Sequence, residues 1–155
     1  MMKISKITDY AVVALTAMVD GNDQPISAAS LSEKTKLPEP TIAKVLKLLA
    51  KSGLINSVRG ANGGYTMVGT IEDISIADVI VAIEGPVAIT SCVDENDQTC
   101  DFSTHCTING RWTAVNNAIK ETLDEISLAD MVQLKPFKNK QVAENIEEEQ
   151  SYGRI

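Results

Sequence analysis

The feature that most constrains this chain is the run LPEPTIAKVLKLLAKSGLINSVRGANGGYTMV, residues 37–68. Pro38 and Pro40 cannot stand inside a helix but suit its first turn, where a missing N–H costs nothing. From about residue 40 to 52 the apolar positions Ile42, Val45, Leu46 and Leu49 recur at helical spacing, and Lys44, Lys47 and Lys51 fall on the opposite face. Gly53 ends the helix. The period then changes from helical to alternating. Residues 54–59 read as one strand, residues 60–64 as a glycine-rich tip, and residues 65–68 as the return strand.

Two helices precede this run. Residues 6–20 place Tyr10 or Ala11, Ala14 or Leu15, and Met18 on one face, and Gly21 stops the helix. Asp9 lies near its start, where a carboxylate complements the positive end of the helix. Ser27 can cap a short helix through Thr35 with Ala28, Ala29 and Leu31 as packing residues. Two helices joined by a tight turn, the second with a basic outer face, read as a helix-turn-helix, and a hairpin directly after it reads as a wing. An ordinary hairpin on a small domain is the competing reading. Arg59 begins the wing tip, whose glycines would let backbone approach a phosphate or a minor groove.

Charge is divided along the chain. Residues 1–60 hold eight Lys/Arg against five Asp/Glu, net +3, whereas residues 61–155 hold six against sixteen, net −10. That asymmetry suggests a nucleic-acid face on an acidic body. With 155 residues and 44% hydrophobic content, the chain suffices for one core and not for two large domains. It carries no apolar run of membrane-spanning length and no export-signal pattern, so a cytoplasmic protein is expected, without a membrane partner. No catalytic constellation is present and no small-molecule substrate is expected: the lone His105 lacks an obvious base, and NGG in the wing lacks the Lys and helix of a phosphate loop. No internal repeat is apparent.

Residues 74–86, ISIADVIVAIEGP, carry a helix start in which Ser75 and Asp78 form a capping-box-like pair and Ile74 and Val79 a staple. Beyond Gly85 and Pro86 lies the stretch CVDENDQTCDFSTHC, which holds every cysteine: Cys92, Cys100 and Cys106. Thiols gathered in a polar, Asp-rich loop are soft-metal ligands in the making. The gaps are wider than those of a zinc knuckle and suit a loop wrapped around an iron–sulfur cluster, [4Fe-4S] or [2Fe-2S]. Zinc with His105 as fourth ligand, and three inert surface cysteines, are the alternatives; an odd count excludes a complete disulfide framework. Residues 109–126 then read as the longest helix, with Trp112, Val115, Ile119, Thr122 and Ile126 in a heptad-like seam. Such a seam either packs on the same chain or pairs with a second copy, the pairing being favoured for a reader of two DNA half-sites. Ser127 is a candidate cap for a short final turn. From about residue 135 the Glu-rich, apolar-poor composition predicts a disordered tail.

These stretches together resemble the Rrf2 family of winged-helix regulators, the iron–sulfur regulators of the IscR and NsrR kind. The resemblance is carried by TDYAVVAL, LPEPTIAKVLKLLAKSGLINSVRGANGGY, ISIADVIVAIEGP and three cysteines before a Trp-containing helix, and covers residues 1–131. The segment HCTINGRWTAVNNAIKETLDEISLADM is most similar to regulators of the SUF iron–sulfur assembly system. The resemblance implies a mainly α fold with a small β-hairpin wing. Its parts are a winged helix-turn-helix at residues 1–70, a linker helix at 71–86 and a cluster-binding loop at 87–108. A dimerisation helix with its terminal turn follows at 109–134, and the tail at 135–155. It also implies a homodimeric transcription factor that binds double-stranded operator DNA through Pro40, Thr41, Lys44 and Lys47 on the helix and Arg59, Gly60, Asn62 and Tyr65 on the wing. Cys92, Cys100 and Cys106 match the cluster ligands. IscR-like members place a histidine three residues after the last cysteine, where this chain has Asn109, which leaves the fourth ligand and the nuclearity open. The TDYAV stretch resembles members in which an acidic residue of the partner subunit serves, which implies Asp9, with His105 as the alternative. A nitric-oxide sensor of the same fold and a zinc-stabilised DNA-binding module are the alternative functions.

Overall fold

The computed structural model describes residues 3–19, 24–94, 105–108 and 110–132. Helix α1 spans Lys6–Met18, α2 Ala28–Thr35 and α3 Glu39–Ser52. Ser5 caps α1 by accepting from the Thr8 N–H, and Ser27 caps α2 by accepting from the Ser30 N–H. Helix α3 has no side-chain cap; Pro38 stands at its N-cap and Pro40 inside its first turn. It ends on Gly53 at φ 84°, where the Gly53 N–H reaches Ala50 O and the Leu54 N–H reaches Leu49 O, a Schellman turn. Ala11, Ala14, Leu15, Leu31, Ile42, Val45, Leu46 and Leu49 are fully buried in one core. Each large aliphatic side chain taken from water there contributes about 1.5–3 kcal/mol. Ala29, expected among the packing residues of α2, is exposed, because the short helix turns only Leu31 fully inward.

Strands β1 (Ile55–Val58) and β2 (Gly64–Met67) pair antiparallel with Ile55 opposite Met67 and Val58 opposite Gly64. A third segment joins them: Ile26, just before α2, exchanges backbone hydrogen bonds with Tyr65 at 3.0 and 2.9 Å. The glycines of the tip serve this geometry. A Cβ on Gly64 would stand 2.6 Å from Ile26 O, and one on Gly63 would stand 2.5 Å from Val58 O. The wing's own backbone therefore demands both residues, a role that the expected close approach to phosphate did not foresee.

Helix α4 (Ile76–Glu84) starts with a full capping box between Ser75 and Asp78. Helix α5 (Arg111–Asp124) packs on α4, and α6 (Leu128–Val132) returns to α1. Ser127 caps α6 with the same chemistry, its N–H and hydroxyl both donating to Asp130. The two starts are neighbours. The Ile76 N–H donates to Ile126 O at 2.8 Å and the Leu128 N–H to Ile74 O at 2.9 Å, an antiparallel bridge between Ser75 and Ser127. Here the sequence reading is corrected: ISIAD at 74–78 and ISLAD at 126–130 are a short internal repeat, stitched back to back. Five residues recurring once lie below the length at which repeat architectures reveal themselves.

Two further expectations change. Helix α5 is as long as α3 and not longer, and it ends at Asp124, so Ile126 is no part of a helical seam; it packs on the core of its own chain. The inward face of α5 carries Asn116, with Ile119 and Leu123 half-buried, while Trp112, Val115 and Thr122 are exposed. The heptad reading followed the rim of the packed face because polar Asn116 broke the apolar pattern of its centre. Cys100, Asn109 and the 135–155 tail lie outside the described residues.

Candidate nucleic-acid interface and thiol loop

Packing of α3 through Ile42, Val45, Leu46 and Leu49 leaves Lys44, Lys47 and Lys51 exposed on its outer side. Pro40 is exposed at the start of α3 and Thr41 is half-buried. At the wing tip Arg59, Gly60 and Asn62 are all exposed, and the turn is closed by the Gly63 N–H donating to Gly60 O at 3.0 Å. Among the described residues, Lys44, Lys47, Lys51 and Arg59 have no carboxylate partner. Unpaired cations on a helix face and a hairpin tip are what a polyanion can use without first breaking an ion pair. Tyr65 differs from the rest of the expected set. It is half-buried against the core and its backbone ties the wing to Ile26, so it positions the wing.

The thiol loop leaves α4 at Gly85 and returns to α5 at Gly110. Its first cysteine, Cys92, lies exposed on a short 3-10 turn, Ser91–Val93, that packs against α5. The Thr90 hydroxyl and the Cys92 thiol are 3.1 Å apart. Cys106 is half-buried and His105 exposed beside it. Neither Cys92 nor Cys106 is in a disulfide. Among the described residues no three His, Cys, Asp or Glu side chains converge as a metal site, and Cys100 lies outside them. The donor chemistry nevertheless fits a soft metal centre: two free thiols in a polar loop, one of them on a turn seated against a helix. The loop's base is held by Asn116, 8% exposed, whose Oδ1 accepts from the Ile89 N–H at 3.1 Å while its Nδ2 donates to Val87 O at 2.9 Å. Sequence reasoning missed this residue; its signal was a polar side chain on the inward stripe formed with Ile119 and Leu123.

A second long-range contact lies at the end of α4. Glu84 accepts from the Ser5 N–H at 3.0 Å and from the hydroxyl of buried Thr8. A capping box normally finds its carboxylate three residues along the same helix. Here that position is Thr8, and Glu84 of α4 supplies the missing group to α1. The Thr8 hydroxyl first, and the Ser5 N–H after it, hold the Glu84 carboxyl below the usual range. An acidic residue at its own helix's C-terminus opposes the dipole, so this bond accounts for its place. Asp9 sits exposed in the first turn of α1, on the helix end that Glu84 latches to the base of the thiol loop.

A winged helix-turn-helix with an exposed cationic face, followed by a helix that launches a thiol-bearing loop, has the build of a DNA-binding regulator, and the family comparison gives the same class, transcriptional regulators. The sequence profile of Rrf2, described as iron-dependent transcriptional regulators, matches residues 4–134. The chain belongs to the Rrf2 family. It is 30% identical over 131 residues to the HTH-type transcriptional regulator IscR of Vibrio campbellii, spanning 82% of this chain and 77% of that one. The rrf2 protein of Nitratidesulfovibrio vulgaris is 29% identical over 132 residues, spanning 84% and 87%. Among solved structures, T. potens IscR superposes with a TM-score of 0.60 at 33% identity over 84% of this chain and 86% of that one. The B. subtilis global cysteine regulator CymR superposes at 0.62 with 27% identity over 84% and 96%. The mainly helical fold with a hairpin wing stands. No helix among the described residues is long and apolar enough to cross a membrane.

Proposed function

We propose that this regulator senses iron–sulfur status through a cluster held by Cys92, Cys100 and Cys106 and controls iron–sulfur assembly genes. The observation that carries this reading is the free Cys92 thiol on a turn seated against α5, in a chain similar to IscR. A bound cluster, held by these thiolates, would supply an oxygen- and iron-sensitive centre. The chain's own part is to order the loop between α4 and α5 and to pass that order, through Glu84, to α1. Asp9 of the partner subunit, in that first turn of α1, is the fourth ligand in this reading. Protein purified without air should be coloured, contain iron and acid-labile sulfide, and bleach on exposure to oxygen. Cys92→Ser and Cys106→Ser should each lose the colour, and Asp9→Ala should make the cluster more labile than His105→Ala does. A colourless wild-type protein that contains zinc would establish the zinc-stabilised module instead.

The regulator acts in this reading as a homodimer that presents two copies of α3 and the wing to duplex DNA. Support comes from the exposed end of α5, where Trp112 is 37% and Val115 45% accessible on one helix face. Ile119 is a poorer probe, since it lines a groove of its own chain with Val87, Ile89 and Leu123. Val115→Asp would place a carboxylate in the subunit contact, where desolvation of an unpaired charge costs several kcal/mol. Sedimentation should then show a monomer with the wild-type helix content. A dimer of unchanged affinity would move the interface away from α5.

A further inference from the structure

We infer that Asn116 is the positioning residue of the cluster site: it mounts the Cys92 arm of the loop on α5 before any ligand arrives. The inference rests on the proposed cluster at Cys92, Cys100 and Cys106. Asn116 and Thr8 are the two buried polar side chains among the described residues. Thr8 is accounted for by Glu84. A buried amide is retained only where its donor and acceptor are both used, because an unpaired one costs about 1–3 kcal/mol. Asn116 uses both on the backbone of residues 87 and 89, in the manner of a strand partner. The helix thereby anchors the backbone at residues 87 and 89, directly before Thr90, which lies next to the Ser91–Val93 turn and within hydrogen-bond distance of Cys92 Sγ. Cys92 is the first ligand along the loop, and its backbone is anchored three residues away. Groups that orient a ligand without touching the metal set how long the metal stays.

The geometry also selects an amide over its charged analogue. Aspartate at 116 could accept from the Ile89 N–H, but its second oxygen would face Val87 O, two acceptors with no proton between them. Asn116→Asp should therefore behave like Asn116→Ala, although its size is conserved.

The test compares wild type, Asn116→Ala, Asn116→Asp and Cys92→Ser, each reconstituted anaerobically with ferrous iron and sulfide. Iron and sulfide content, visible circular dichroism and the rate of iron loss to a chelator are read for each. Both Asn116 variants should take up the cluster, show an altered visible dichroism and lose iron about 10- to 100-fold faster than wild type. If they match wild type in dichroism and loss rate while Cys92→Ser holds no cluster, the inference fails and the cluster reading stands. If wild type binds no cluster, or Cys92→Ser keeps one, the cluster reading fails and takes the inference with it. A readout on the unaltered chain covers the case in which the variants do not fold. In cluster-free wild type the Ile89 amide hydrogen should exchange slowly, as slowly as the amides of α5. Exchange there at the rate of an open loop would overturn the premise that the mount exists before the ligand.

Discussion

A protein with alanine at Lys44, Lys47 and Lys51 should bind mixed-sequence duplex DNA about 100- to 1000-fold more weakly at ~0.1 M salt, with a salt slope shallower by about three. The estimate follows from counterion release, in which each phosphate neutralised contributes close to one decade at that ionic strength. All three side chains are exposed on the outer side of α3 and lack carboxylate partners among the described residues, so none has an ion pair to break first. The core face of the same helix, Ile42, Val45, Leu46 and Leu49, is untouched by the substitutions. Stability should stay within about 0.5 kcal/mol of wild type, as for other surface changes. Titrations at several salt concentrations give the slope directly. An unchanged slope would remove α3 from the DNA contact, even if the affinity fell.

Gly64→Ala should destabilise the domain by about 1–3 kcal/mol, the usual range for overpacking a closed site. The added Cβ would lie 2.6 Å from Ile26 O, 2.7 Å from Ile26 C and 3.0 Å from Ile26 N. All three are backbone atoms, so no side chain can swing aside to relieve the contact. Relief must come from separating β2 from Ile26, which would free the wing and displace Arg59 relative to α3. A lower urea midpoint together with weaker DNA binding is the expected pair of results. Asn62→Ala, on the exposed tip, should leave the midpoint alone. A Gly64→Ala protein of wild-type stability would mean that the Ile26–Tyr65 pairing does not form in solution.

Local rules explain how much of the architecture could be read directly. Ser27, Ser75, Ser127 and the pair Pro38 and Pro40 mark helix starts through groups within a turn of themselves, and the structure has a helix at each. The change of period after Gly53 likewise marked β1 and β2 within one residue at each end of the pairing. The basic face of α3 was legible for the same reason, since a helix's inward face determines its outward one. The seam on α5 was less legible, because periodicity locates a face only when its centre is apolar. Asn116 sits at that centre and is buried by hydrogen bonds to a segment 27 and 29 residues away.

Sequence alone thus determined the order of helices, the hairpin, the cationic outer face of α3 and the gathering of all three cysteines between α4 and α5. Each of these follows from neighbours along the chain, through caps, breakers, spacing and charge. Tertiary structure decided what those parts do for one another. It made Glu84 the missing cap of α1 from 79 residues away, paired ISIAD with ISLAD, closed Gly64 against Ile26 and set Asn116 under the thiol loop. The physical reason is common to all four. A buried amide or hydroxyl and an unpaired backbone edge must each find a partner, and which partner lies within about 3 Å depends on how the elements pack.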